Sequence, residues 1–267
     1  MLGEGLIREN YTLEVEPYEV DLASIKPQVG LNQSIWQDKK LDSRIRLRLL
    51  DIADDFRKFM KLSWVKPKDI ILTGSICNRN WSNESDIDLH IIIDFKEIGE
   101  RLEFVEEYVN AKKNQWNNEH DNLTIFGFKV ELYVSNITDS LTDDAAVYSL
   151  MKDEWINEPD LESSDYKVLN KKSFQDKTKE KASVIMTLID DLIDQYETTL
   201  DSYQLKELYK TVKKVLELVK EMRKDSLSHD GEYGMGNIIY KLLRRENYLQ
   251  DLWDLQTSIY DDLMSLK

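Results

Sequence analysis

The chain has one cysteine, Cys77, four prolines and nine glycines in 267 residues. It also lacks any apolar run near the ~18 residues that a bilayer span requires. A single cysteine excludes an internal disulfide and any zinc cage built from thiolates. Basic side chains are outnumbered, 36 against 51 acidic ones, for a net charge of −15. That deficit argues against a broad, sequence-independent grip on nucleic acid, which needs a basic face. The opening MLGEGLIRENYTLEVEP has neither the basic start nor the apolar stretch of a secretory leader, so a reducing cytoplasm is the expected compartment, with no membrane partner. Phosphoryl-transfer kinases are disfavoured by the absence of a G-x-x-x-x-G-K-[ST] loop and of an H-R-D motif.

What is present divides at Pro159. The prolines Pro17, Pro27, Pro67 and Pro159 all fall in the first three-fifths. The opening 35 residues read as an arm with one short strand. Asp42 and Ser43 are placed to cap a helix running to about Leu62, with Ile45, Leu49, Ile52, Ala53, Phe56 and Met60 at helical spacing and Pro67 as its stop. DIILTGS and DIDLHIIIDF read as strands, residues 97–119 as a helix, and LTIFGFKVELYVSN as a hairpin broken at Gly127. Beyond Pro159 the pattern becomes helical. One stripe is Val184, Ile185, Leu188, Ile189, Leu192, Ile193 and Tyr196, and a second runs from Leu205 to Met222. Two more helical stretches follow the loop DGEYGMGN. The sequence thus predicts an α+β fold, a small mixed sheet with flanking helices in 1–159 and a helical domain in 160–267. Acid is concentrated in the first part: positions 160–267 carry 21 acidic and 17 basic side chains, and the first 159 carry 30 and 19.

The chemistry is concentrated between Leu72 and Val134. A strand delivers the chain to Gly74, where a missing side chain lets backbone N–H groups approach an anion, and Ser75 adds a hydroxyl. Ten residues later come Asp86 and Asp88. At a spacing of two on a strand, both carboxylates project from one face. They repel unless a cation lies between them, and hard oxygen ligands favour Mg²⁺, with Mn²⁺ an alternative. Glu131 is the lone acid of the apolar run KVELYV and supplies a third carboxylate from a neighbouring strand. A phosphate cradle opposite such a metal site points to nucleoside triphosphate chemistry.

This G-S-x(10)-D-h-D-h pattern, with a later acid inside an apolar strand, resembles the nucleotidyltransferases of the DNA polymerase β superfamily. LTGSICNRNWSNESDIDLHIIIDF, KVELYV and the late GNIIYKLLRR are further similar to predicted nucleotidyltransferases of tailed phages and bacteria. A phage origin would make the compartment the host cytoplasm. The resemblance implies the polymerase β-like fold, two Mg²⁺ ions held by Asp86, Asp88 and Glu131, triphosphate binding by Gly74 and Ser75, and transfer of an NMP to an acceptor hydroxyl with release of pyrophosphate. Two positions depart from the pattern: many members carry Asp at the position of Glu131 and Gly at that of Arg79.

Several other residues keep two readings. His90 is a packed neighbour of the carboxylates or a contact to phosphate or metal. Trp81 anchors its loop or stacks on a base. Cys77 reads as small and buried, and Ser85 as a cap that holds Asp86. In the helical part, Lys167, Lys171, Lys172, Lys177, Lys179 and Lys181 face only Asp176 and Glu180 in their segment. They read as a solvated helix start or as a landing site for triphosphate or RNA. Gly231, Gly234 and Gly236 precede a helix with Lys241, Arg244 and Arg245. They form an ordinary connector, or a mobile loop closing over a nucleotide bound by Lys241 with Glu232 as a base. The expected substrate is an NTP. A small molecule or protein side chain is preferred as acceptor because of the net acidity. An RNA 3′ end, or a non-catalytic nucleotide-binding or acidic interaction protein keeping the fold, are the alternatives.

Overall fold

The computed structural model describes residues 27–139, 145–162, 165–198 and 201–265; the arm's strand lies largely outside them. The chain falls into two compact units, Ile25–Ser163 and the residues from Ser164 onward. The described residues form a mixed α+β structure with six α-helices and a six-stranded mixed sheet.

The first unit begins with a short ribbon, β1 (Trp36–Gln37) and β2 (Lys40–Leu41), and then α1 (Ser43–Phe59). Asp42 caps α1 by accepting the Arg44 N–H at 2.8 Å. Ile45, Leu49, Ile52, Ala53 and Phe56 form its buried face. The helix ends earlier than Leu62, and Pro67 is not what stops it. Met60 closes the last turn, and Lys61 follows in a left-handed conformation at φ +59°.

The sheet runs β5-β6-β4-β3-β7-β8. Its strands are β3 (Asp69–Thr73), β4 (Ile87–Ile93), β5 (Thr124–Ile125), β6 (Phe128–Asn136), β7 (Val147–Ser149) and β8 (Glu154–Asn157). Only β4 and β6 pair in parallel. A parallel pair cannot be joined by a tight turn, and the crossover here is α2 (Leu102–Glu119). β5 and β6 meet through a two-residue turn whose Phe126 and Gly127 both have positive φ, the backbone hand that suits a tight hairpin. β5 reaches only Lys129, so the edge of β6 beyond it needs cover. Asn117 of α2 supplies it, donating to Leu132 O at 3.2 Å and accepting Leu132 N–H at 3.1 Å.

Alternation decides which face is dry. Ile87, Leu89, Ile91 and Ile93 of β4 and Val130 and Leu132 of β6 are buried in one core with the inner faces of α1 and α2. Asp88, His90, Glu131, Tyr133 and Ser135 lie on the opposite face and are half-buried. β7 and β8 go beyond the sequence reading. They are held by a cluster in which Trp155 stacks on Trp36 at 4.6 Å and Tyr148 meets both rings edge-on at 5.1 Å.

The second unit consists of α3 (Lys172–Glu197), α4 (Ser202–Asp230), α5 (Met235–Arg245) and α6 (Tyr248–Met264). Asp201 and Gln204 form a reciprocal capping box on α4. The stripe on α3 differs from the one expected: Thr178, Ala182, Ser183, Met186, Ile189 and Leu192 face inward, and Val184 is 40% exposed. Two of the three glycines around the start of α5, Gly234 and Gly236, serve close approach. A Cβ on Gly234 would stand 2.2 Å from Ser226 Oγ, and one on Gly236 would stand 2.5 Å from the Met222 carbonyl oxygen. The loop is therefore a tight helix–helix connector.

Two effects oppose each other at Gly236. Alanine favours a helix by roughly 1 kcal/mol over glycine, whereas overpacking against a neighbour typically costs about 1–3 kcal/mol. The atom in the way is backbone of α4, which cannot swing aside, so the clash wins. Gly236→Ala is expected to lower the denaturation midpoint of the helical unit by the equivalent of ~1–2 kcal/mol. An unchanged or raised midpoint would mean that α5 can back away from α4.

No helix of the described residues is long and apolar enough to cross a membrane.

Candidate active site

The site is a row across three strands. β3 pairs Thr73 with Asp88, and β4 pairs Asp88 with Glu131, so Asp88 lies centrally with Glu131 beside it on the same face. Asp86 departs slightly from the sequence reading: β4 begins at Ile87, and Asp86 precedes it at the mouth of the strand.

Gly74 leaves β3 at φ +79° and ψ −161°, a backbone region essentially reserved for glycine. A Cβ there would lie 1.9 Å from Asp88 Oδ2 and 3.0 Å from Asp88 Cγ. The carboxylate thus rests against the bare glycine, and the turn and the acid form one object. Ser75–Cys77 coil into a single 3₁₀ turn, with Cys77 N–H donating to Gly74 O at 3.2 Å and Asn78 N–H to Ser75 O at 3.0 Å. Ile76 and Cys77 point into the core and anchor the turn. From the N-terminal ribbon, the buried Trp36 donates its indole N–H to Ile76 O at 2.8 Å. Ser75 Oγ donates to Ser85 Oγ at 2.9 Å, which also accepts Ser82 N–H at 2.9 Å. Ser85 therefore ties the intervening loop to the turn. Trp81 anchors that loop by donating to Gly30 O at 2.8 Å, and Arg79 donates to Leu161 O at 2.5 Å.

Glu131 Oε2 accepts the Tyr133 hydroxyl at 2.7 Å. Burial, and then that hydrogen bond to a carboxylate, push the Tyr133 hydroxyl far above its ordinary pKa, so it stays a donor. The Tyr133 ring stacks on His90 at 4.6 Å and 15°, and the Lys113 ammonium lies 4.9 Å from its centre. His90 Nδ1 is 3.2 Å from Ser135 Oγ. Burial, assisted by the Lys113 charge, lowers His90 to about 4, so the ring is neutral near pH 7. His90 is thus a packed member of the face. Lys129 is kept charged chiefly by its bond to Asp121, and also by the nearby Glu131 and Asp86 carboxylates. Burial, and then the charge of Asp88, push the Cys77 thiol up, so it is no nucleophile.

The structure therefore brings Gly74, Ser75, Asp88 and Glu131 together at one end of the central strands, with Asp86 just before β4. Among the described residues, no three His, Cys, Asp or Glu side chains already converge as a metal cage. Lys241 belongs to the helical unit, where its ammonium is paired with the Glu232 carboxylate, and Asn237 donates to Glu232 O at 2.7 Å. That pairing occupies the two side chains expected to act as nucleotide contact and base. The exposed Lys167, Lys171, Lys172, Lys177 and Lys181 and the half-buried Lys179 lie just before α3 and along its first three turns. Sequence reasoning missed Tyr133 and Trp36. Tyr133 was within reach, since a spacing of two from Glu131 places both on one face.

No protein-family model, curated protein or solved structure matches the chain.

Proposed function

We propose that the chain is a metal-dependent nucleotidyltransferase, moving an NMP from an NTP to an acceptor hydroxyl with release of pyrophosphate. One observation carries the reading. Asp88 rests against a Cβ-free Gly74 and stands in register with Glu131, so a glycine turn and two carboxylates meet on neighbouring strands.

The donor set suits Mg²⁺. Carboxylate oxygens are hard ligands, and the space a Gly74 side chain would fill is kept for the carboxylate. Asp86, Asp88 and Glu131 would hold the metal, which when bound neutralises phosphate charge and lowers the pKa of an acceptor hydroxyl. The chain's own residues do the rest. Backbone N–H groups of the turn after Gly74 and the Ser75 hydroxyl receive phosphate oxygens, Ser75 exchanging its bond to Ser85 for one to the nucleotide. Trp36 and the buried Ile76 and Cys77 hold the turn rigid from behind, so the cradle is formed before substrate arrives. Glu131 acts on the acceptor side. A net charge of −15 favours a small molecule or protein hydroxyl over RNA as acceptor.

The test is incubation of the protein with each labelled NTP, Mg²⁺ and a cell lysate, followed by separation of protein, RNA and small molecules. Label in the protein or small-molecule fraction is the expected result. Label in RNA would reverse the acceptor preference, and nucleotide binding without transfer would identify a binding module. Within this reading, Glu131→Gln should reduce turnover by a hundredfold or so while NTP affinity changes by less than about threefold. Equal losses of nucleotide affinity in Glu131→Gln and Asp88→Asn would refute that division of labour.

A further inference from the structure

Beside the carboxylate row lies a second row that the proposed reaction has not used. β4 and β6 pair Asp88 with Glu131 and, two residues on, His90 with Tyr133. Because side chains two apart share a face, the aromatic pair lies directly alongside the acidic pair. The ring of Tyr133 is held from two sides, by His90 stacked at 4.6 Å and by the Lys113 ammonium 4.9 Å from its centre. His90 is itself steadied by Ser135, 3.2 Å from Nδ1. The outcome is a fixed hydroxyl that reaches Glu131 Oε2 at 2.7 Å.

Glutamate has one more rotatable bond than aspartate, and a half-buried glutamate on an open sheet face samples several rotamers unless something selects one. A ligating carboxylate is commonly held by a hydrogen bond from behind, and loss of such a partner typically costs about 10–100-fold in metal affinity or activity. From this geometry, and resting on the metal-dependent reading above, we infer that Tyr133 is a positioning residue of the carboxylate site. Its hydroxyl fixes Oε2 of Glu131 and presents Oε1 to a divalent cation. The Lys113 and His90 contacts act through Tyr133, by keeping its ring in place. The longer side chain at this position thus comes with its own brace on the same strand.

Phenylalanine keeps the ring and its stacking on His90 and removes only the hydroxyl, so Tyr133→Phe isolates the bond. The experiment is titration of the full chain with Mn²⁺ alone, followed by electron paramagnetic resonance, for wild type, Tyr133→Phe, Glu131→Gln and the double variant. Thermal melts are recorded in parallel. The expected result is a loss of Mn²⁺ affinity of about tenfold or more in Tyr133→Phe at an unchanged melting temperature. Glu131→Gln should lose at least as much, and the double variant should match it, because the hydroxyl acts only through the carboxylate. Wild-type affinity in Tyr133→Phe, or a further independent loss in the double variant, overturns the inference and leaves the metal site standing. A wild-type chain that takes up no Mn²⁺ overturns the metal-dependent reading itself.

Discussion

Asp88→Asn is expected to abolish nucleotidyl transfer without harming the fold. Asp88 is the middle of the Thr73–Asp88–Glu131 row and the acid seated on Gly74, so it is the residue the proposed site can least replace. Metal-borne stabilisation of phosphoryl chemistry amounts to several kcal/mol, and 1.36 kcal/mol is a factor of ten in rate, so a loss of about a thousandfold or more follows. Stability should move the other way or stay level. Without a cation, Asp88 stands beside Glu131 and near Asp86, and asparagine keeps the shape while removing one of the mutually repelling charges. Turnover per folded molecule and a thermal melt, both on purified protein, decide the matter. A variant that melts early but retains its activity per folded molecule would make the acidic row structural.

Gly74→Ala should be nearly as damaging, by a different route. At φ +79° and ψ −161° any side chain is strained, at a cost of about 1–3 kcal/mol. The new methyl would also overlap Asp88 Oδ2, since the two would lie only 1.9 Å apart. That oxygen is the far end of a side chain rather than backbone, so the carboxylate moves and the sheet survives. The variant should therefore show a moderate drop in melting temperature and a loss of transfer approaching that of Asp88→Asn. Gly127→Ala is the control, because Gly127 also has positive φ, at +88°, but a Cβ there would meet nothing within 4 Å. It should lose comparable stability and keep its activity. If Gly74→Ala is merely destabilised, like Gly127→Ala, then the glycine is a turn device and the proposed cradle fails.

The residues that could be read from sequence are those whose role follows from local period. β4 alternates isoleucine and leucine with Asp88 and His90, so its two faces are explicit in the text. Glu131 stands out as an acid within an apolar strand, and the hairpin announces itself at Gly127. What escaped depends on partners far away in the chain. β7 and β8 have little alternation of their own and are held by the stacking of Trp155 on Trp36, a contact no window of sequence contains. The inner face of α3 was misjudged because close packing selected Ala182, Ser183 and Thr178 and left Val184 outside. The glycines before α5 suit a connector or a mobile loop equally well in sequence, and only the structure shows that two of them mark where a second helix presses too close for any side chain. Likewise Lys241 and Glu232, read as nucleotide contact and base, are occupied with each other.

The parallel pairing of β4 with β6 also governs when the site can come into being. Asp88 and Thr73 meet across an antiparallel pair closed by a local loop, but Glu131 joins them only after α2 has carried the chain across and β6 has docked. Contacts of long sequence separation form late in folding, because loop-closure entropy must be overcome before they stabilise anything. A nascent chain that has emerged only through β4 therefore holds Asp86 and Asp88 but not their third partner. A cation held by all three, as proposed, would bind the finished sheet over every earlier state, and so would act as a clasp that stabilises the β4–β6 seam against opening.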